Sequence, residues 1–143
     1  MGMGIVYTRG AAGISAPKVK VEVHLSNGLP SFKLVGLAET AVQEAKERVR
    51  SALINSGFEY PARRITVNLA PADIPKSGGR YDLAIALGIL IAMGLIEQSP
   101  VNHTEVAGEL SLNGDIRPVP GLLPVAMRCA EDNHTLVLPA GNE

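Results

Sequence analysis

Cysteine, histidine and aromatic residues are scarce in this 143-residue sequence. The single cysteine, Cys129, cannot form a disulfide within the chain, and the three histidines lack the spacing of metal ligands. Three tyrosines, two phenylalanines and no tryptophan are too few to indicate a base-stacking platform. These absences argue against a disulfide framework, a zinc module and an aromatic nucleic-acid binding sheet.

Long apolar runs and an excess of one charge are also missing. The longest apolar run, residues 83–96, is about 14 residues long, whereas a helix needs about 20 to cross a bilayer. The start of the chain has no charged segment followed by an apolar one, so we expect a cytoplasmic protein. The net charge of −1 creates no overall attraction to nucleic acid or membrane. The length suits a single domain spanning residues 1–143.

The first half of the chain changes from a period of two to a helical period. Alternating valines from Val19 to Leu25 predict a strand, and the turn residues Asn27-Gly28 predict a hairpin with a return strand at 32–35. From Ala38, apolar residues recur every three or four positions, which predicts an amphipathic helix that stops at Gly57.

The second half predicts further strands and a buried helix. A strand over 65–69 leads into a loop rich in proline and glycine, and Asp82 is expected to cap an apolar helix over 83–93. Asn113-Gly114 predicts a second hairpin, with arms at 105–112 and 115–119. A helix over 122–132 and a strand over 135–138 complete the pattern. Strands interleaved with helices and hairpins predict an α/β (α+β) fold with a mixed sheet covered by helices.

Three sequence blocks carry a resemblance to a known family. They are VEVHLSNGLPSFKLVGL, RVRSALINSGFEYPARRITVNLAPADIPKSGGRYDLAIALGIL and GELSLNGDIRPVPGLLP. Together they resemble the amino-terminal domain of the ComM family, also called YifB or magnesium-chelatase-related proteins. The resemblance implies a ribosomal protein S5 domain 2-like fold, shared with the Lon protease domain. It also implies a following AAA+ ATPase module and a hexameric motor for DNA branch migration in natural transformation.

The ATPase module itself is not expected within this chain. The phosphate-binding motif G-x-x-x-x-G-K-[ST] does not occur, and the sequence contains no Gly-Lys dipeptide. ATP and magnesium are therefore expected to bind the parent protein's AAA+ module and not this chain. By resemblance, a Lon-like domain continues with another strand and helix, so we expect the chain to end before its domain does.

The Lon resemblance makes a peptidase testable residue by residue. Its catalytic motif PKDGPSAG, laid on residues 75–82, places Arg80 where the serine nucleophile belongs, and the lysine base corresponds to Leu123. Neither residue can perform serine-lysine chemistry, which needs a hydroxyl and an amine of lowered pKa. A displaced pair, Ser77 with Lys76, is an alternative, but neighbouring side chains on a glycine-rich loop rarely face each other. We therefore expect no catalytic, cofactor-binding or metal-binding residue here.

Basic residues supply the remaining candidates. The segment from Lys76 to Arg80 precedes a helix and could cradle a phosphate, although Asp82 would compete for its amides. Alternatively, Lys76 and Arg80 contact DNA or a neighbouring subunit. Arg63 and Arg64, with three basic residues of the preceding helix, could form a strip that contacts DNA or simply a solvated face; the helix residues are Lys46, Arg48 and Arg50.

Two further sets of residues complete the candidates. Arg117 lies in a rigid Arg-Pro-Val-Pro-Gly segment that suits a subunit contact. A divalent-metal site would need several nearby acids to converge, whereas turn and cap roles explain them more simply; these acids are Asp73, Asp82, Glu109 and Asp115.

The sequence thus predicts an accessory domain without chemistry of its own. Its expected partners are its own AAA+ module, neighbouring subunits of a homo-hexamer and, for the parent protein, DNA. Two alternatives stay open: a peptidase-related domain with an altered active site, and a magnesium-chelatase-like protein-interaction module.

Overall fold

A six-stranded mixed sheet forms the centre of the computed structural model, which describes residues 2–10, 15–71, 76 and 79–142. The strands are β1 (Met3–Arg9), β2 (Lys18–Ser26), β3 (Ser31–Val35), β4 (Arg64–Ala70), β5 (Thr104–Val106) and β8 (Thr135–Val137). Their order is β3-β4-β2-β1-β5-β8, with β2 antiparallel to both of its neighbours and the other three pairs parallel. The predicted α/β class and mixed sheet are confirmed.

Three helices accompany the sheet. They are α1 (Glu39–Asn55), α2 (Asp82–Ala92) and α3 (Leu122–Glu131). Helix α2 is buried along almost its whole length, as its apolar sequence predicts. It approaches β1 and β2 closely because Gly4 and Gly88 have no side chain at the contact: a Cβ on Gly88 would lie 2.5 Å from Cγ2 of Val23. The core therefore lies between α2 and the alternate valines of β2.

Helix α1 ends as its sequence predicts. Gly57 adopts a φ of +92° and follows the C-cap residue Ser56, while the Phe58 amide donates to the Leu53 carbonyl at 3.0 Å. These bonds satisfy carbonyls that a helix end leaves free, and the left-handed backbone suits glycine. Helix α1 connects the parallel strands β3 and β4, so it serves as the crossover of a βαβ unit.

The second predicted hairpin is confirmed in a shorter form. Strands β6 (Glu109–Leu110) and β7 (Ile116–Arg117) pair antiparallel around Asn113-Gly114, and Gly114 has a φ of +99°. The predicted arm over 105–112 is in fact divided. Its first part is β5 in the central sheet and its second part is β6 in this separate ribbon.

The first predicted hairpin is wrong. β3 does not pair with β2, because β4 lies between them and pairs with both. Asn27-Gly28 still turns the chain, and Gly28 has a φ of +142°, but the side chain of Arg64 packs against this glycine. The actual hairpin partner of β2 is β1, a strand that the sequence pattern did not predict.

Asp82 is not the cap that its position suggests. It is the first residue of α2, and no side-chain cap hydrogen bond forms at the preceding residue, Tyr81. Burial of the Asp82 side chain, only 1% exposed, directs its carboxylate inward to an ion pair with Arg48.

Candidate functional site

The two positions to which the Lon resemblance assigns a catalytic serine and lysine, residues 80 and 123, carry an arginine and a leucine. The Arg80 guanidinium is buried, with 5% of the residue exposed, and its Nη1 donates to the Pro120 carbonyl at 3.0 Å. Leu123, three residues beyond Pro120, is 74% exposed in the first turn of α3. A guanidinium and an isobutyl group thus occupy the region where the chemistry would need a hydroxyl and an amine.

Arg80 is also poorly compensated for its burial. Its Nε and Nη2 are enclosed and find no hydrogen-bond partner in the described part of the chain. Burial lowers the pKa of Arg80, although the guanidinium keeps its charge at neutral pH. Because so little of the residue is exposed, Arg80 is not positioned to contact DNA or a neighbouring subunit in this conformation.

The glycine-rich loop before α2 is described only in part. Three of the predicted candidates lie outside the described residues. They are Ser77 of the displaced catalytic pair, Gly78 of the phosphate cradle and Asp73 of the acidic group. Lys76 is half-buried, and its Nζ donates to the Pro71 carbonyl at 2.6 Å. Lys76 therefore makes at least one hydrogen bond to a residue of its own segment.

The three described acids near this loop have separate roles. Asp82 accepts hydrogen bonds from Arg48 Nε at 2.6 Å and from the Leu110 amide at 3.1 Å. Burial raises the pKa of Asp82 to about 6, and the bonds from Arg48 and Leu110 oppose that rise. The Glu109 side chain packs against the Cα of Gly79, and Asp115 lies in the turn of the β6–β7 hairpin.

The predicted basic strip is divided by the structure. Arg48 bonds to Asp82 and also lies 3.6 Å from Glu44, four residues earlier on α1. Arg64 packs on Gly28. Arg117 is exposed on β7 and lines a shallow depression of about 480 Å³ beside the hairpin turn. Three members of the strip remain together at one cavity.

That cavity, the basic pocket, has a volume of about 440 Å³ and lies between α1, the start of β3 and the segment 60–63. Its cations are Lys46, Arg50 and Arg63. The Arg50 guanidinium lies 5.7 Å from the centre of the Tyr60 ring, a cation-π distance. The sequence identified these basic residues, but it could not show that Tyr60 and Phe32 line the same cavity.

A buried ion network was missed altogether. Arg9 Nε lies 2.6 Å from Glu105, and Arg9 Nη2 lies 2.5 Å from Asp132. His134 Nδ1 lies 2.7 Å from the other oxygen of Glu105. Burial would raise the pKa of Glu105, but the bonds from Arg9 and His134 outweigh it and lower that pKa. The members come from three distant parts of the chain, at Arg9, at Glu105 and at Asp132 with His134, and sequence alone does not show that these parts meet.

The network resembles a metal site, since one ligand atom each of Glu105, Asp132 and His134 lies within 4.8 Å of the others. However, Arg9 bonds to both carboxylates and supplies the cation that these acids need. The cluster therefore ties β1, β5 and the α3–β8 turn together as an internal salt-bridge network.

The described residues thus form a mixed-sheet domain with a buried arginine at position 80, an exposed leucine at position 123 and a basic pocket elsewhere. The chain belongs to the family described as subunit ChlI of Mg-chelatase, whose model matches residues 21–142. It is 50% identical over its whole length to YifB of Escherichia coli (strain K12) and 51% identical over 142 residues to the competence protein ComM of Haemophilus influenzae. It spans 28% of the length of each.

A more distant relative is named as a protease. Lon protease 2 of Bacillus subtilis is 27% identical over 122 residues, which cover 75% of this chain and 21% of that protein. The predicted resemblance to ComM and YifB is confirmed. Among the described residues, no helix has the length and apolarity needed to cross a membrane.

Proposed function

We propose that this chain is a non-catalytic accessory domain of a ComM-like hexameric AAA+ ATPase that acts on DNA. The observation that carries the proposal is the pair Arg80 and Leu123, a buried guanidinium and an exposed aliphatic side chain at the two positions of the Lon dyad. Neither can act as nucleophile or base. The domain keeps a relationship to a peptidase family and lacks the groups that cleave peptides.

The relatives support the rest of the role. One of them is named as a competence protein, and the chain matches just over a quarter of its length. ATP and magnesium then belong to the parent protein's AAA+ module, and the parent works on DNA in the cytoplasm, in branch migration during natural transformation. The accessory domain contacts its own AAA+ module and neighbouring subunits. Arg64, Arg117 and Lys76 are the candidate contact residues outside the basic pocket.

A peptidase assay tests the loss of catalysis. The purified chain, freed of contaminating proteases, is incubated with casein and a fluorogenic peptide, and in parallel with a covalent serine-reactive probe. An active Lon protease serves as the positive control. We expect neither peptide turnover nor probe labelling. Turnover that persists through purification and disappears when one serine of the chain is changed to alanine would establish an altered peptidase instead.

A further inference from the structure

The basic pocket concentrates positive charge at one place on the surface. Lys46 and Arg50 lie one helical turn apart on α1, and Arg63 approaches from the segment before β4. No carboxylate lines the pocket among the residues that the structure describes. Arg48, on the same helix, differs because it bonds to Asp82. The pocket therefore presents three cations to an external anion.

The pocket also offers an aromatic wall. Phe32 and Tyr60 line it together with Ile54, and the Arg50 guanidinium lies over the Tyr60 ring. Burial raises the pKa of Tyr60 to about 12, so the phenol stays neutral at physiological pH. Positive charge beside planar rings matches a phosphate beside a base. The volume of about 440 Å³ lies within the range of small-ligand sites and can admit a nucleotide-sized group.

A second cavity extends the surface. Residues 60–63 line both the basic pocket and a neighbouring cavity of about 470 Å³ that reaches Asn27 and Met93 and is also lined by Glu59. A ridge between two cavities suits a ligand with several repeating units better than an isolated nucleotide. Duplex bases are stacked and paired inside the helix, so they cannot lie against a protein ring without unpairing. The geometry therefore favours a flexible single strand.

We propose that the basic pocket binds single-stranded DNA, with phosphates at Lys46, Arg50 and Arg63 and a base against Tyr60 and Phe32. The choice of DNA rests on the proposed function. The arrangement of the pocket assigns the DNA contact to this site and to these residues, and it favours a single strand over a duplex. An acidic protein segment is the competing occupant, and a polyglutamate competitor distinguishes it from DNA.

The test measures fluorescence anisotropy of a labelled 12-nucleotide thymidine strand and of a matched duplex at low salt. Arg50→Glu and Arg63→Glu are compared with Arg128→Glu, which makes the same charge change on α3, away from the pocket. Circular dichroism verifies that each variant is folded. We expect the two pocket variants to bind the single strand at least about tenfold more weakly, and Arg128→Glu to change binding less than about twofold.

Tyrosine variants test the aromatic contact separately. Tyr60→Phe retains the ring, whereas Tyr60→Leu removes it. We expect Tyr60→Leu to weaken single-strand binding by about fivefold or more, and Tyr60→Phe to leave it within about twofold, because stacking depends on the ring. The single strand should bind more tightly than the duplex.

Four results would overturn the pocket proposal. Equal losses in all three charge variants would indicate general electrostatic attraction and leave the DNA role of the domain intact. Tighter binding of the duplex would reject the strand form. Binding of polyglutamate with displacement of DNA at equal charge concentration would identify an acidic peptide site, and absence of all DNA binding would count against the DNA contact itself.

Discussion

Arg48 and Arg80 illustrate how a side chain's role depends on its partner and not on its type. Arg48 lies in a sequence pattern typical of a solvated helix face, yet it compensates a carboxylate that is 1% exposed. Arg80 lies on a glycine-rich loop typical of an exposed contact, yet it is 5% exposed. The sequence shows that both residues are arginines. It does not show that they are buried, because their burial depends on how α1, α2 and the β6–β7 ribbon meet in three dimensions.

The same substitution at these two arginines should have different effects on stability. Arg48→Met leaves the buried Asp82 carboxylate without its cation, which should lower the free energy of unfolding by roughly 2–4 kcal/mol. Arg80→Met removes two enclosed nitrogens that have no partner among the described residues, together with one hydrogen bond to the Pro120 carbonyl. The free energy of unfolding should therefore stay within about 1 kcal/mol of the wild type or rise. Urea unfolding at pH 7 measures both. A larger loss for Arg80→Met than for Arg48→Met would contradict this account.

The Asp82 carboxyl gives an unusual pH dependence. Its pKa is about 6 in the folded protein, above the ordinary 3.8, so the folded state takes up a proton between these pH values and the unfolded state does not. Protonation therefore favours folding, and the contribution of Asp82 to stability grows as the pH falls from 7 toward 4. We compare the free energy of unfolding of the wild type with that of Asp82→Asn at pH 7 and at pH 5. On going from pH 7 to pH 5, the wild type should gain at least about 1 kcal/mol of stability relative to the variant. A difference that shrinks over this range would contradict the inward placement of the carboxyl.

At the scale of elements, local signals predicted the elements better than their pairing. Gly57 and the apolar run of α2 depend on nearby sequence, and both behave as predicted. Asn27-Gly28 marks a turn correctly, but the neighbour of β2 is β4, nearly forty residues later. A turn signal cannot encode that choice, because it depends on where α1 returns the chain. Strand β1 was missed because its Met-Gly start resembles no alternating strand.

A close contact between α2 and β2 can be tested at Gly88. Glycine to alanine within a helix normally increases stability by about 1 kcal/mol. Here the added Cβ would lie 2.5 Å from Val23 Cγ2, so Gly88→Ala should instead lower the free energy of unfolding by roughly 1–3 kcal/mol. In a double-mutant cycle, Val23→Ala should recover part of this loss. Additive losses would show that the two residues do not collide.

At the scale of the whole molecule, the two charged assemblies lie at opposite edges of the sheet. The basic pocket adjoins β3, and the Arg9 network joins β1 to β5 and the turn before β8. One assembly is neutralised internally and holds strands together. The other has three cations and no lining carboxylate among the described residues. This separation explains how a chain with a net charge of −1 can present a local anion-binding surface.

Some parts of the candidate site could be predicted from the sequence and others could not. The Lon resemblance compares single positions of aligned motifs, so the residues at positions 80 and 123 can be read from the sequence alone. The grouping of Lys46, Arg50 and Arg63 with Tyr60 requires α1 and the segment before β4 to converge, which spacing alone does not show. Arg64, the neighbour of Arg63, points instead to Gly28 because alternate residues face opposite sides as β4 begins.

The most direct test of the account is equilibrium binding of the 143-residue chain to single-stranded, duplex and four-way-junction DNA, from low to physiological salt. Three phosphate contacts in the basic pocket predict salt-sensitive binding of single strands, with a slope of log affinity against log salt of about −2. Binding that follows this slope would support a DNA contact in this domain. No binding to any of the three DNAs at low salt would contradict the DNA contact and leave only a role in assembly.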